Sequence, residues 1–457
     1  MMKKLTSFVF IVLLAIASCT NEENLSLTAN PEPMQNRSAF GIDGLNRNYL
    51  SDIALLADGI SGINGISWDD IEPNPPQNGV HDYRLTSEMI ELNSALQSNS
   101  RKLQLNFRLS SNWAIQRDPN QPVTNPEDGS REGGILGVNP THENDLVAVI
   151  EHILSNLNIE VLQIGSEAEN EWLDASAYVH ALAIIYQTAK RIQPDITIMI
   201  FGFNPANYFT HPDRFNTQLI TNKLNFVTKV LELGAPYFDV FSFHASRELE
   251  AIEPTVTWIK EQMQSYGYTK PVWVDDMYSA PWLDPVYGSQ NDRELYNQLI
   301  SEEPQAIAMF DSLQAGYMIK KLTVGFACGI EKIFVSTDVD FEAYYIPNWR
   351  YVGLLKSSGQ RKPAYYNLKL LIDKTSGFER VNSIGNGLFE FKFFNNNSIY
   401  VYWSEGNSTD VLTALQANSY TIHQFAYHIN EAPNSSVVTS LENINFDSNP
   451  VLIELNE

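Results

Sequence analysis

Short apolar runs alternate with longer stretches in which apolar residues recur every three or four positions, and the alternation repeats eight times between residues 39 and 374. The runs at 39–43, 62–68, 102–109, 160–166, 196–203, 238–244, 271–276 and 332–338 read as buried strands. The stretches at 48–59, 86–99, 142–157, 175–192, 214–233, 254–266, 303–327 and 363–374 read as helices. Strict alternation predicts an α/β protein with a parallel sheet inside its helices, and eight repeats predict a (β/α)8 TIM barrel. An open doubly wound sheet is the runner-up, but no GxGxxG or P-loop turn follows a strand. From about residue 376 the period falls to two, in LFEFKFF, SIYVYWS, DVLTAL, SYTIHQFAYHI, SSVVTSL and PVLIEL. This change predicts a small C-terminal antiparallel β-sandwich over 376–457, after a barrel over 38–375.

Polar residues punctuate the strand ends. Asp43, Trp68, Arg108, Glu167, Asn204, His244, Asp275, Asp276 and Asp338 all fall at C-terminal strand ends. A barrel of this class carries its chemistry on that face. Glu160–Trp172, EVLQIGSEAENEW, stands out, because Glu167, Glu169 and Glu171 crowd into one turn. Like charges raise one another's pKa, which suits a general acid; the same acids also suit a solvated helix N-terminus.

Lys3 and Lys4 precede an apolar run at 8–16, too short to span a bilayer and right for a signal peptide over 1–18. The run ends Ile16-Ala17-Ser18-Cys19, which resembles a bacterial lipobox and implies lipidation of Cys19. Asn21, Glu22 and Glu23 resemble the surface-export signal of Bacteroidetes-type lipoproteins. Residues 19–37 then read as a polar tether, and the expected location is the cell envelope, outer membrane, by lipid anchor alone. A formal charge of −24 argues against nucleic acid as a partner. After Cys19 only Cys328 remains, so no disulfide forms within the mature chain, and GFACGI reads as an inert core thiol. No HxxxH or HxH spacing offers a metal site and no cofactor is implied; Asp338, Asp340 and Glu342 make an oxygen-rich run that suits Ca²⁺ or a solvated loop. No GxSxG marks a serine hydrolase.

The chain resembles the clan A glycoside hydrolases, retaining (β/α)8 enzymes of the family-39 and family-5 type. Trp68-Asp69-Asp70-Ile71-Glu72-Pro73 and His81-Asp82-Tyr83 are similar to the clan's segments after strand 2. Asn112-Trp113-Ala114 is similar to that after strand 3, Gly165-Ser166-Glu167-Ala168 to its G-N-E-P, and Ser242-Phe243-His244 to its strand-6 segment. Pro271-Val272-Trp273-Val274-Asp275-Asp276 stands in the place of the strand-7 nucleophile, and Lys362-Pro363-Ala364-Tyr365-Tyr366 in the last helix. The resemblance spans nearly the whole mature chain and implies a carbohydrate substrate, with Glu167 as acid/base and Asp276 as nucleophile or base. It implies that Trp68, Arg108, Trp113, Ser166, Asn204, His244, Asp275, Tyr278 and Trp282 bind substrate. Trp172 and Trp349 join the tryptophans that either stack on sugar or pack between loops.

Two departures bear on mechanism. Ser166 replaces the clan's Asn, and Asp276 replaces its Glu. Losing one methylene draws the carboxylate back, which matters because retaining pairs stand roughly 5–5.5 Å apart and inverting pairs roughly 6.5–9.5 Å. The clan's arginine near strand 2 has no counterpart at Asn64 or Gly65, and Arg108 is the nearest substitute. Three readings follow: a lipid-anchored glycoside hydrolase on poly- or oligosaccharides, a degenerate barrel that binds surface glycans, and an adhesive lipoprotein whose mouth is blocked by the loops 112–140 and 204–214.

Overall fold

The structure is a computed structural model that describes residues 39–44, 47–53, 56, 59–99, 101–120, 134–342, 346–404, 415–441, 444 and 446–456. Residues 1–38, where the leader, Cys19 lipidation and the tether are expected, and residues 121–133 of the 112–140 loop lie outside the described residues.

Eight parallel strands close into a barrel: β1 (Phe40–Asp43), β2 (Gly59–Ser67), β3 (Lys102–Arg108), β4 (Ile159–Ile164), β5 (Thr197–Phe203), β6 (Val240–Ala245), β7 (Val272–Tyr278) and β8 (Lys332–Ser336). Closure is direct, with Phe40 to Asp43 of β1 in register with Ile333 to Ser336 of β8. Every residue of β5 and β6 is buried, as a strand covered on both faces requires. Val161, Met199, Val240, Trp273 and Phe334 plug the lower interior. Gly41 makes room for that plug, since a Cβ there would lie 2.4 Å from the Phe334 ring.

The helices lie outside as α1 (Leu50–Ile53), α2 (Ser87–Ser98), α3 (Glu143–Asn156), α4 (Ala175–Ile192), α5 (Thr217–Gly234), α6 (Ile252–Ser265), α7 (Pro304–Ala327) and α8 (Pro363–Thr375). Their starts follow local chemistry. Thr86 accepts from the Met89 N–H, Asp174 from Ser176, and Asn216 from both Gln218 and Leu219, so orphan first-turn donors are satisfied. Among the described residues, no helix is long and apolar enough to cross a membrane.

Helix α7 is buried on both sides, and the C-terminal region explains why. Six antiparallel strands, β9 (Arg380–Gly385), β10 (Leu388–Lys392), β11 (Ser398–Tyr402), β12 (Ser419–Gln424), β13 (Asn434–Val438) and β14 (Val451–Asn456), form one sheet in the order β9-β10-β11-β14-β12-β13. One face packs on the barrel's helices, with Phe326 of α7 against Phe378 at 5.0 Å and Phe391 at 6.5 Å. Asn367 of α8 stitches the layers, donating to the Ala315 and Ala426 carbonyls and accepting from the Ala426 N–H. The other face is covered by Leu415, Leu441 and Phe446. Strand β9 is absent from the sequence expectation because RVNSIG is an exposed edge strand with little apolar signal. Residues 410–414 of DVLTAL lie outside the described residues, and Leu415 is not in a strand. Cys328 differs from its expectation: it caps α7 and is half-buried, not in the core.

Lys362 accounts for the start of α8. Its side chain is fully buried, 2.7 Å from Asp311 and 3.2 Å from Asp340, and donates to the Tyr351 carbonyl. Burial raises the Asp340 carboxyl to about 6, with Lys362 opposing the rise. Asp340 accepts from Lys362 and the Gly353 N–H, and Glu342 from the Ser357 hydroxyl. Among the described residues, no group of three His, Cys, Asp or Glu side chains is placed to hold a metal ion.

Lys362→Met is expected to lower stability by about 3–5 kcal/mol in urea unfolding, because it leaves buried Asp340 without its ion-pair partner and buried Asp311 with only the more exposed Lys356. Lys356→Met, at the more exposed second partner of Asp311, is expected to cost only about 1 kcal/mol. Equal losses would contradict the role given to Lys362.

Candidate active site at the barrel mouth

The acidic turn after β4 is set by backbone. Gly165 has φ +78° and its N–H donates to the Phe107 carbonyl of β3. Glu167 takes a left-handed conformation, φ 53° and ψ 48°, and its N–H donates to the Phe201 carbonyl of β5. A non-glycine residue held there costs of order 1 kcal/mol and persists only where its surroundings impose it. The result turns Glu167 into the mouth between β3 and β5 and starts the one-turn helix Ala168–Glu171.

The Glu167 carboxylate is held on both oxygens. Asn170 Nδ2 donates to Oε2 at 2.7 Å, Asn204 Nδ2 to Oε1 at 3.0 Å, and His244 Nδ1 lies 3.1 Å from Oε1. On its other side His244 Nε2 lies 3.4 Å from Asp275 Oδ2. Asp275 Oδ2 accepts from Gln163 Nε2 at 2.6 Å, and Gln163 Oε1 accepts from Gln104 Nε2 at 3.0 Å. A continuous polar chain therefore crosses the barrel from β3 to β4, β7, β6 and back to the Glu167 turn. Burial alone would lower the His244 pKa, but Asp275 and Glu167 outweigh it and hold the ring well above its usual value, as an imidazolium. Gly202 makes this fit: at φ +53°, a Cβ there would lie 2.4 Å from His244 Nε2 and 2.5 Å from Asp275 Oδ2.

A register irregularity places Asp275 and Asp276 together. Phe243 faces Val274 but His244 faces Asp276, and Ile333 faces Val274 while Val335 faces Met277. A bulge of this kind brings adjacent side chains toward one face. Asp276 keeps partial solvent contact, and its Oδ1 has no hydrogen-bond partner. Burial raises its pKa; His244 and Ser336 oppose the rise, and the charges of Asp275 and Glu167 add to it. Glu167 and Asp276 thus act on each other across the mouth.

The like-charge argument finds its strongest response at Glu169. Burial, then the Glu167 charge, raises Glu169 to about 8. Its Oε1 accepts from the Asn204 N–H at 3.1 Å, and its buried Oε2 has no partner. Glu169 itself therefore holds a proton at neutral pH.

Of the residues expected here, Arg108, Ser166, Glu167, Asn204, His244, Asp275 and Asp276 converge on the mouth. Ser166 is buried, and its hydroxyl makes no hydrogen bond among the described residues. Trp68 and Tyr278 present no open face. Trp68 is fully buried, edge-on to Trp113, with its N–H toward Glu72; Tyr278 is fully buried against Trp282 and Trp349 and donates to the Asn348 carbonyl at 2.5 Å. Trp172 is likewise buried, against Tyr178. Trp113, Trp282 and Trp349 are half-buried. Trp113 donates to the Glu72 carbonyl, and Arg247 lies 3.6 Å above the Trp282 ring. Among the described residues, Arg108 Nε and Asp276 Oδ1 each have no hydrogen-bond partner.

Several positioning residues escaped the sequence reading. Gln104 and Gln163 carry a usable signal, as polar residues on the inward period of otherwise apolar strands. Asn170 carries none. Lys321, in the apolar stretch of α7, is fully buried and donates to the Ala245, Arg247 and Tyr278 carbonyls, tying the ends of β6 and β7. Burial pulls its ammonium down to about 7, with Asp276 opposing. Glu72, fully buried, pairs with His81 at 2.7 Å and closes the loop after β2.

No protein-family model and no curated protein sequence matches the chain. Solved structures do. A family 39 glycoside hydrolase from the gut symbiont Bacteroides cellulosilyticus WH2 superposes with a TM-score of 0.60 at 14% identity, over 93% of this chain and 83% of that one. A glucosidase from Croceicoccus marinus gives 0.55 at 9%, over 93% and 97%. A family 51 α-L-arabinofuranosidase from Bifidobacterium longum gives 0.52 at 10%, over 94% and 98%. At such identities the likeness shows the fold, a TIM barrel with a C-terminal antiparallel sheet.

Glu169 gives the site a pH signature. Its folded pKa lies above its unfolded value of 4.5, so the folded state binds the extra proton between about 4.5 and 8 and stability falls as pH rises through that window. Glu169→Gln is expected to flatten this dependence and raise Tm at alkaline pH by about 2–4 °C per kcal/mol relieved. An unchanged Tm–pH profile would show that Glu169 is ionised throughout.

Proposed function

We propose that this protein is a glycoside hydrolase that cleaves poly- or oligosaccharides with Glu167 and Asp276, held at the cell envelope by lipid on Cys19. The observation that carries the reading is the pair itself: two carboxyl groups at the C-terminal ends of β4 and β7, each within electrostatic reach of the other, with His244 beside both. In this reading Glu167, in its protonated form, delivers its proton to the leaving glycosidic oxygen, with the His244 N–H hydrogen-bonded to its Oε1. The C1–O bond breaks with an oxocarbenium-like transition state. The Asp276 carboxylate then either bonds to C1, in an ester that water cleaves while the Glu167 carboxylate takes the water's proton, or itself takes a proton from an attacking water. Its shorter arm leaves room for that water. Asn204 and Asn170 orient Glu167, and Lys321 keeps the two strand ends in register.

Two observations favour a second reading, a glycan-binding barrel without turnover. Both Glu167 oxygens already accept protein donors, and Asp276 is one methylene short.

Hydrolysis of a broad panel of plant, algal and microbial glycans, with product anomers followed by NMR, separates the two. Glu167→Gln and Asp276→Asn are each expected to lower kcat by about 10²–10⁴ with glycan binding kept. Retained anomers would make Asp276 the nucleophile, and inverted anomers would make it the base. Binding without hydrolysis by the unaltered protein would assign it to the second reading. Cell fractionation of Cys19→Ser, with release from the membrane expected, tests the anchor.

A further inference from the structure

Most arginines of the described chain sit against an acid. Arg84 meets Asp82, Arg191 meets Glu151, Arg214 meets Glu248, Arg350 meets Glu302 and Arg361 meets Asp52. With 54 acidic and 30 basic residues in the chain, a carboxylate is seldom far from any arginine. Arg108 and Arg247 depart from this pattern. Both are half-buried at the barrel mouth, and neither makes an ion pair or side-chain hydrogen bond among the described residues.

Arg108 is placed with care. It continues the inward row of β3 above Gln104 and Asn106, one residue past the Phe107 carbonyl that receives the Gly165 N–H. Its Nε is buried and has no partner. Strand β2 gives way to it at Gly65, where φ is +78° and a Cβ would lie 2.5 Å from that Nε. Arg247 follows β6, on the other side of the ring by strand order, flat over Trp282 at 3.6 Å. Its backbone is pinned by Lys321. Stacking immobilises a guanidinium while leaving its edge donors free.

A partly desolvated guanidinium without an anion is costly. The acids of the mouth are already engaged, Glu167 by Asn170, Asn204 and His244 and Asp275 by Gln163 and His244, and Arg247 feels the charges of Glu248 and Asp284 without an ion pair to either among the described residues. The missing partner therefore comes from the ligand. A guanidinium fork suits a planar carboxylate or a sulfate, binding either through two parallel N–H bonds.

We propose that Arg108, with Arg247 across the mouth, reads an anionic substituent, a uronic carboxylate or a sulfate ester, on the glycan bound at the barrel mouth. The inference rests on the glycan reading of the mouth and fixes the substrate class as an acidic glycan.

Affinity electrophoresis of the purified protein in a Glu167→Gln background, which stops turnover, tests it. The probes are polygalacturonate, glucuronoxylan and alginate, each beside its carboxyl-reduced form, and carrageenan beside its desulfated form. Retardation is expected by at least one acidic polymer, falling at least about tenfold when its charge is removed, and falling similarly in Arg108→Gln. Arg108→Lys, which keeps charge but loses the fork, is expected to fall between. Loss on carboxyl reduction assigns a uronate, and loss on desulfation assigns a sulfate. A neutralised polymer that binds as well as its parent, an Arg108→Gln variant that binds as before, or no retardation by any acidic polymer would overturn the proposal. An unchanged Tm confirms that Arg108→Gln is folded. Hydrolysis by the unaltered protein is scored separately: charge-dependent binding without cleavage would refute the hydrolase and leave this inference standing.

Discussion

The site depends on one buried cation. His244 stands between Glu167 and Asp275, and its charge is what allows two carboxylates to face each other inside a barrel lined below by Val161, Met199, Val240, Trp273 and Phe334. Without it, two buried anions would repel each other in a medium of low polarity. With it, Glu167 accepts three donors, Asp275 accepts from Gln163, and Asp276 keeps one oxygen without a partner and a pKa raised by burial. Acid and base roles in a paired-carboxyl site are set by such differences in environment.

The fold serves this arrangement at several depths. Gly202 gives up its side chain beneath the His244–Asp275 contact, and Ser242 bridges β5 and β6 by donating to the Ile200 carbonyl and accepting from the Gly202 N–H. Lys321 ties the ends of β6 and β7 from the outside, and Lys362 anchors the loop after β8. The C-terminal sheet covers the outer side of α7, so that Lys321 sits in a helix shielded on both faces. The accessory sheet and the mouth are thus linked through one helix.

Much of this was legible in the chain. The eight strands and most of their helices follow from period; the stretch 48–59 departs, with α1 ending at Ile53 and β2 starting at Gly59, whereas α4 begins and ends where its pattern does, because Asp174 caps it and its apolar stripe is complete. The strand-end polar residues found the mouth, since inward positions at the top of a barrel have no apolar plug to join. What escaped depends on distant partners. Trp68 looks like a sugar platform in sequence and is a packing residue in space, because Glu72 and Trp113 close over it. The proton that like-charge crowding predicts settles on Glu169, whose burial no local pattern records. The roles of Lys321 and Lys362 show only in the carbonyls and carboxylates that the fold gathers around them.

The measurement that bears most directly on this account is the ¹⁵N spectrum of the histidine-labelled protein, with His244 assigned by loss of its signals in His244→Gln. The account predicts that both ring nitrogens of His244 carry protons at about pH 7.5, well above the range where a free imidazole is charged, and that Asp275→Asn lowers this titration. A neutral ring at that pH, with a single protonated nitrogen and no response to Asp275→Asn, would contradict the claim that a buried imidazolium organises the mouth.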